Sequence, residues 1–273
     1  MTLILKVYFT VDYIIKLDTW NGRFINRVVS EILENAGIKI PHNAKVKPFT
    51  ITPVLDVEGK VVKKLVPGDQ YWFRISLFCG EVDCGSITNE FTKPTLKLST
   101  GEALNIVKMS IIGKDFSGKN VSEDLVLVHW RVRFWPTSFI FRSHYITWPS
   151  PARFFASAAQ TLARVLRGSE VSMSKGDDSL IGVISDVDLK GFVKDLTFNT
   201  EVVDFKIRRL SINLGRDRRM PAFEGIAQYA TYTERFSLFK LLLDAANVYG
   251  VGKNRALGLG YVNAEVLEQR KLR

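Results

Sequence analysis

Gly250-Val251-Gly252-Lys253-Asn254-Arg255-Ala256-Leu257-Gly258-Leu259-Gly260 sets two Gly-apolar-Gly triplets five residues apart, with a lysine, an asparagine and an arginine between them. Glycine lacks a Cβ, so such a segment can bend sharply and bring backbone N–H groups against a large anionic partner, while Lys253 and Arg255 add positive charge at the same place. The spacing predicts a cradle for a phosphate backbone, built from Gly250, Gly252, Lys253, Asn254, Arg255, Gly258 and Gly260. It does not suit a nucleotide. A P-loop ends in Gly-Lys-Ser/Thr, whereas Lys253 is followed by Asn254 and nothing comparable follows Gly258. A dinucleotide fingerprint follows a strand and opens a helix. Here a helical stretch, Glu234 to Tyr249, precedes the glycines and a strand-like Leu259 to Val266 follows them. A glycine helix cap would account for Gly250 or Gly252 but not for the second triplet.

Outward from the loop, the pattern of elements occurs twice. In the second half, Leu125 to Phe134 alternates, with Val126, Val128, Trp130, Val132 and Phe134 on one face and His129, Arg131 and Arg133 on the other. Pro151 to Leu166 is an amphipathic helix with proline in its first turn and Phe154, Phe155, Ala158, Leu162 and Val165 along one side. Phe192 to Phe205 and Ile207 to Leu214 read as β segments, and Gly215 to Arg219 makes a basic turn before Phe223 to Thr231. The helix with Phe236, Phe239, Leu243 and Ala246, the glycine loop and a last strand complete the set. In the first half, Leu3 to Val11 alternates, and Asp18 to Ala36 places Phe24, Val28, Ile32 and Leu33 on one helical face ended by Gly37. Pro48 to Val57 and Gln70 to Phe78 read as strands, followed by a weaker element and a strand over Ala103 to Ile112. The fold expected is α+β: two tandem ferredoxin-like units, each β-α-β-β-α-β. They should occupy residues 1–120 and 121–273, divided within Asp115 to Asp124, where Gly, Ser, Lys and Asn cluster.

The 273 residues carry 38 Lys plus Arg against 28 Asp plus Glu, a formal charge of +10 and a pI near 9.6, which favours a polyanionic partner. A 46% hydrophobic content is ample for two packed cores. No leader pattern and no apolar run of membrane-spanning length occurs, so a soluble, cytoplasmic protein is expected. Cys79 and Cys84 are too few for a disulfide framework and lack Cys or His partners for zinc; core filling near a strand end is the expected role. No cofactor or metal is expected.

The glycine segment, placed after the last helix of a second ferredoxin-like unit, resembles the signature loop of the RAMP superfamily of CRISPR-associated proteins. Lys47-Pro-Phe-Thr-Ile-Thr-Pro53, Gly68-Asp-Gln-Tyr-Trp-Phe-Arg-Ile75 and Met220-Pro-Ala-Phe-Glu-Gly225 resemble stretches of the endoribonuclease of that superfamily that cuts CRISPR repeat RNA. The glycine segment is specific to the superfamily, and the other three carry weight through their order. The resemblance implies a basic cleft between two ferredoxin-like domains. It also implies metal-independent cleavage within each repeat by the RNA's own 2′-hydroxyl, leaving a 2′,3′-cyclic phosphate and a 5′-hydroxyl. The partners implied are CRISPR repeat RNA, effector-complex subunits and a second copy of the chain.

Such a reaction needs a base for the 2′ proton, an acid for the leaving 5′ oxygen and positive charge on the crowded phosphate. His42 is the candidate acid/base, because imidazole titrates near neutral pH and the histidine lies between the first helix and the strand bearing Phe49, where the family commonly keeps its catalytic histidine. Lys45 and Lys47 are the candidate phosphate stabilisers. The family often pairs that histidine with a tyrosine on the first helix. Asp18 to Ala36 has none, which leaves Arg23 and Arg27 as reserve RNA contacts. Arg216, Arg218 and Arg219 on the basic turn are expected to grip RNA phosphates, and Arg131 and Arg133 to form a stripe along the groove. His129 and His144 are weaker candidates, the latter in a loop with Arg142 and Tyr145.

Two rivals bear on the reading. Gly176-Asp177-Asp178, with Asp186 and Asp188, faintly resembles the magnesium-holding aspartates of polymerase palms, but its Ser- and Lys-rich flanks read as a solvated loop. A non-catalytic RAMP subunit that only binds guide RNA would share the glycine loop, the charge and the fold. It would not need His42 or the Phe49 segment.

Overall fold

The computed structural model describes residues 2–40, 47–116, 124–167 and 188–272. The chain divides into two compact units. The first comprises Met1–Lys114, Ile212–Met220 and Asn254–Leu259, the second Asp115–Ser211, Pro221–Lys253 and Gly260–Arg273. The units are therefore not two contiguous halves: two short segments of the second half, including the middle of the glycine loop, are packed into the first unit.

The first unit runs β1 (Thr2–Thr10), β2 (Ile15–Lys16), α1 (Gly22–Asn35), β3 (Phe49–Ile51), β4 (Leu55–Asp56), β5 (Lys64–Leu65), β6 (Tyr71–Phe78), α2 (Cys84–Phe91), β7 (Thr95–Lys97) and β8 (Ala103–Lys114). Its main sheet has the order β3-β6-β1-β8-β7, and β1 is antiparallel to both β6 and β8. Counting the four principal strands in chain order, this is second, third, first, fourth. Leu5, Val7 and Phe9 point from β1 into a core filled from α1 by Phe24, Ile25, Val28, Val29, Ile32 and Leu33. The alternation of one element and the 3.6 period of the other meet there, as the sequence requires.

The second unit runs β9 (Val126–Thr137), β10 (Phe139–Phe141), β11 (His144–Ile146), α3 (Pro151–Arg167), α4 (Leu189–Phe198), β12 (Thr200–Asn213), β13 (Arg219–Thr233), α5 (Phe236–Tyr249) and β14 (Val262–Lys271). Its sheet has the order β12-β13-β9-β14, again second, third, first, fourth. Trp130 of β9 centres the core, with ring centroids 4.3 Å from Tyr229, 5.3 Å from Phe154, 5.4 Å from Phe155 and 5.6 Å from Phe239. Its indole N–H donates to Thr231 Oγ1 at 2.8 Å, so this buried polar atom is satisfied. The repeated strand order defines two tandem ferredoxin-like domains, as expected.

Two expectations fail. The stretch from Phe192 is helical up to Phe198, and β12 is one long strand. Leu189, Phe192 and Leu196 are buried along one side of α4, and Asp188 caps it by accepting the Gly191 N–H at 2.8 Å, which outweighs the strand preference of Phe192 and Val193. The cysteines do more than fill space: Cys79, just past β6, and Cys84, opening α2, form a disulfide with Cα atoms 5.5 Å apart. The tight connection from strand to helix brings the two into bonding range, which spacing alone did not reveal.

Candidate nucleic-acid interface

Within the first unit, four segments distant in sequence meet at the start of α1. The Trp20 backbone N–H donates to Asn213 O at 2.8 Å, and its indole N–H donates to Leu257 O at 2.6 Å. The Arg23 guanidinium donates to Leu214 O, and Asn26 Nδ2 donates to Ala256 O at 2.8 Å. Buried Asn21 donates to Val54 O at 2.9 Å and Val62 O at 2.8 Å and accepts from the Val54 N–H, which pins the stretch after Pro53 to the same helix end. Asn254 Nδ2 reaches Met220 Sδ at 3.2 Å. Thus α1, the Phe49 segment, the tip of the basic hairpin and the middle of the glycine loop form one structure. Trp20, Asn21 and Asn26, which hold it, carry no motif signal; short polar side chains at a helix start are the only hint the sequence offers.

The cations fall into two groups. Arg216, Arg218 and Arg219 are exposed at the hairpin tip and make no ion pair among the described residues. The tip is a two-residue turn in which Arg216 (φ 53°) and Asp217 (φ 57°) are both left-handed, with Arg218 N–H donating to Gly215 O at 3.2 Å. Lys253 and Asn254 are exposed in the glycine loop, and Arg255 is half-buried. Lys47 is half-buried beside β3, where burial lowers its pKa from the ordinary lysine value and so eases proton donation. The remaining arginines are engaged. Arg23 braces Leu214, and exposed Arg27 contacts Thr100 Oγ1 at 2.9 Å and Glu102 at 3.3 Å. In the second unit Arg131 pairs with Glu265, and Arg133 lies 4.7 Å over the Trp135 ring, itself 4.3 Å from Tyr261. His129 is on the same strand face as these two arginines.

The glycine loop differs from the expected cradle in the use of its amides. The N–H groups of Val251, Lys253, Leu257, Gly258, Leu259 and Gly260 donate to Gly260, Ser138, Asn254, Arg255, Asn254 and Pro136 carbonyls, and that of Gly252 donates to Ser157 Oγ. They are not available to a phosphate. The glycines serve close backbone packing instead: a Cβ on Gly260 (φ +76°) would lie 1.8 Å from Val251 O, and one on Gly258 (φ +74°) 3.0 Å from Pro53 N and 3.1 Å from the Gly22 Cα. What the loop offers a polyanion is the side chains of Lys253, Asn254 and Arg255.

His42 and Lys45 lie outside the described residues, as do Asp177, Asp178 and Asp186 of the palm alternative. Asp188 is described and caps α4. Among the described residues no three His, Cys, Asp or Glu side chains are grouped as a metal-ligand set. No helix among them is long and apolar enough to cross a membrane.

Two tandem ferredoxin-like domains with the glycine loop between the last helix and the last strand are the arrangement that the resemblance to the RAMP superfamily implies. Residues 132–262 match the model of the CRISPR-associated endoribonuclease Cas6 family, a stretch that includes the Met220–Gly225 segment and the glycine loop, and this match bears out the resemblance. No curated protein matches the sequence. Among solved structures, one Cas6 product complex is 17% identical over 97% of this chain and 100% of that one, with a TM-score of 0.65. A second Cas6 product complex is 18% identical over 97% and 100%, with a TM-score of 0.62. A Thermus thermophilus Cas6 is 16% identical over 97% and 98%, with a TM-score of 0.60. At these identities the likeness is one of fold, and it extends over nearly the whole chain.

Proposed function

We propose that this protein is a CRISPR repeat-RNA endoribonuclease that makes guide RNAs by cutting within the repeat, in the cytoplasm and without a metal. The observation that carries the reading is the assembly of α1, the Phe49 segment, the arginine tip and the glycine loop into one structure, next to a family match that names an endoribonuclease. The RNA's 2′-hydroxyl attacks the adjacent phosphorus in line with the departing 5′ oxygen. His42 serves as acid or base, Lys45 and Lys47 stabilise the phosphorane charge, and Arg216, Arg218, Arg219, Lys253 and Arg255 hold the backbone. Products carry a 2′,3′-cyclic phosphate and a 5′-hydroxyl.

The test is incubation of purified protein with labelled repeat RNA in excess EDTA. One discrete cut with those ends is expected. Tight binding without any cut would instead assign the chain to the guide-binding RAMP subunits, and a strict magnesium requirement would reopen the palm reading.

A further inference from the structure

Leu125 to Arg167 contains six arginines and not one Asp or Glu, in a chain where acids otherwise number 28. Part of this stretch is the β10–β11 hairpin, whose side chains the proposed cleavage site does not use. Phe141 is 43%, Tyr145 45% and Trp148 44% exposed, an unusual concentration of open aromatic surface. Arg153, from the first turn of α3, holds its guanidinium 4.2 Å from the Phe141 ring centre, and Arg142 lies at 5.4 Å. Phe141 and His144 are cross-strand partners and so share a face, while Tyr145 opposes Ile140 on the other.

The tip adds an independent observation. Arg142 (φ 45°) and Ser143 (φ 68°) are both left-handed, in a turn that Asn-Gly would make at lower backbone cost. The basic hairpin at Arg216-Asp217 does the same. Both tips hold an arginine at a left-handed position against local preference, the kind of local conflict that function explains. The β10–β11 hairpin is also continuous with the glycine loop, because Ser138, immediately before β10, accepts from the Lys253 N–H at 2.9 Å.

We infer that the β10–β11 hairpin, with Arg153 of α3, is a second RNA contact that stacks unpaired nucleotides flanking the paired or cut part of the repeat. The inference rests on the reading of the chain as an RNA-processing protein. Bases offer a π-face to Phe141 whatever their identity, the guanidinium planes of Arg153 and Arg142 extend the stack, and the stretch itself contributes no carboxylate to repel the phosphates. Cleavage chemistry is not required of this surface, so its specificity is for unpaired strand rather than for sequence.

The experiment measures binding of a labelled single-stranded oligoadenylate of about 12 nucleotides, within the span such surfaces cover. Phe141→Ala should weaken it at least about 5-fold and Phe141→Trp should preserve it, whereas a blunt-ended duplex should bind both variants like wild type. The tip variant Arg142→Asn with Ser143→Gly should bind the oligonucleotide more weakly while melting at a higher temperature, since it relieves the turn. Wild-type affinity in a folded Phe141→Ala protein, or no measurable oligonucleotide binding by the wild type, overturns the inference. Should Phe141→Ala lower the melting temperature, the tip variant decides instead. Oligoadenylate binding is read without any cleavage, so a chain that cuts no repeat RNA yet shows these losses refutes the nuclease reading and leaves the stacking surface standing.

Discussion

At the scale of single residues, the reaction and the architecture make separate demands. In the proposed reaction one imidazole contributes little to a complex held by many phosphate contacts, but its proton transfer lies on the reaction coordinate. His42→Ala is therefore expected to lower the single-turnover cleavage rate at saturating protein by roughly 100-fold or more while leaving RNA affinity nearly unchanged. The wild-type rate should vary with pH in the range where imidazoles titrate, and the variant should lose that dependence. A folded variant that cuts at the wild-type rate would shift the chemistry to Lys45 and Lys47. Gly260→Ala makes the opposite kind of prediction. A left-handed alanine costs about 1–2 kcal/mol, and its Cβ would also overlap Val251 O, 1.8 Å away, so the backbone around the loop must part. The expected outcome is a loss of at least about 2 kcal/mol in denaturant unfolding, with RNA binding reduced only in proportion to the unfolded fraction. Impaired binding in a fully stable variant would restore direct contact between RNA and the glycine backbone.

Elements show where the sequence speaks plainly and where it does not. The regular parts, β1, α1, β9, α3 and α5, were legible because each has one buried face and a clean period of 2 or 3.6. α4 was not, because Phe192, Val193, Phe198, Val202, Val203 and Phe205 form a run rich in strand formers, and only the Asp188 cap and the Leu189–Phe192–Leu196 spacing mark the helix within it. Asp188→Ala should accordingly cost about 1 kcal/mol, seen as a lower denaturation midpoint, with no effect on cleavage below the transition. The candidate site was legible as a set of segments but not as an assembly: the hydrogen bonds from Trp20, Arg23 and Asn26 to backbone carbonyls more than 190 residues away leave no trace in local pattern. For the basic hairpin, exposure without an ion pair among the described residues supports its arginines as the proposed phosphate contacts. Replacing Arg218 and Arg219 by alanine should weaken binding to all RNAs alike and reduce the slope of log affinity against log salt by roughly 1–2. An unchanged slope in a folded protein removes the hairpin tip from the RNA surface.

Over the whole molecule, the two units have the same strand order but carry different loads. The first gathers the Phe49 segment, the start of α1, the arginine tip and the middle of the glycine loop. The second contains the carboxylate-free stretch from Leu125 to Arg167 and the open aromatic hairpin. In the proposed function a net charge of +10 serves both by drawing RNA to the surface, but it cannot set where the strand is cut. On the proposed mechanism, selection of the bond lies in the geometry of one 2′-hydroxyl relative to one phosphate. Removing that single oxygen separates alignment from attack. A repeat RNA with deoxyribose at the nucleotide before the cut should bind within about 2-fold of the all-ribose RNA, because one hydroxyl among many phosphate contacts contributes little to affinity. It should not be cut at all, even with magnesium present, because on the proposed mechanism the nucleophile is gone. Cleavage of the deoxy-substituted RNA at the same bond would mean that water or a metal-bound hydroxide attacks, and would discard the transesterification mechanism together with the role given to His42.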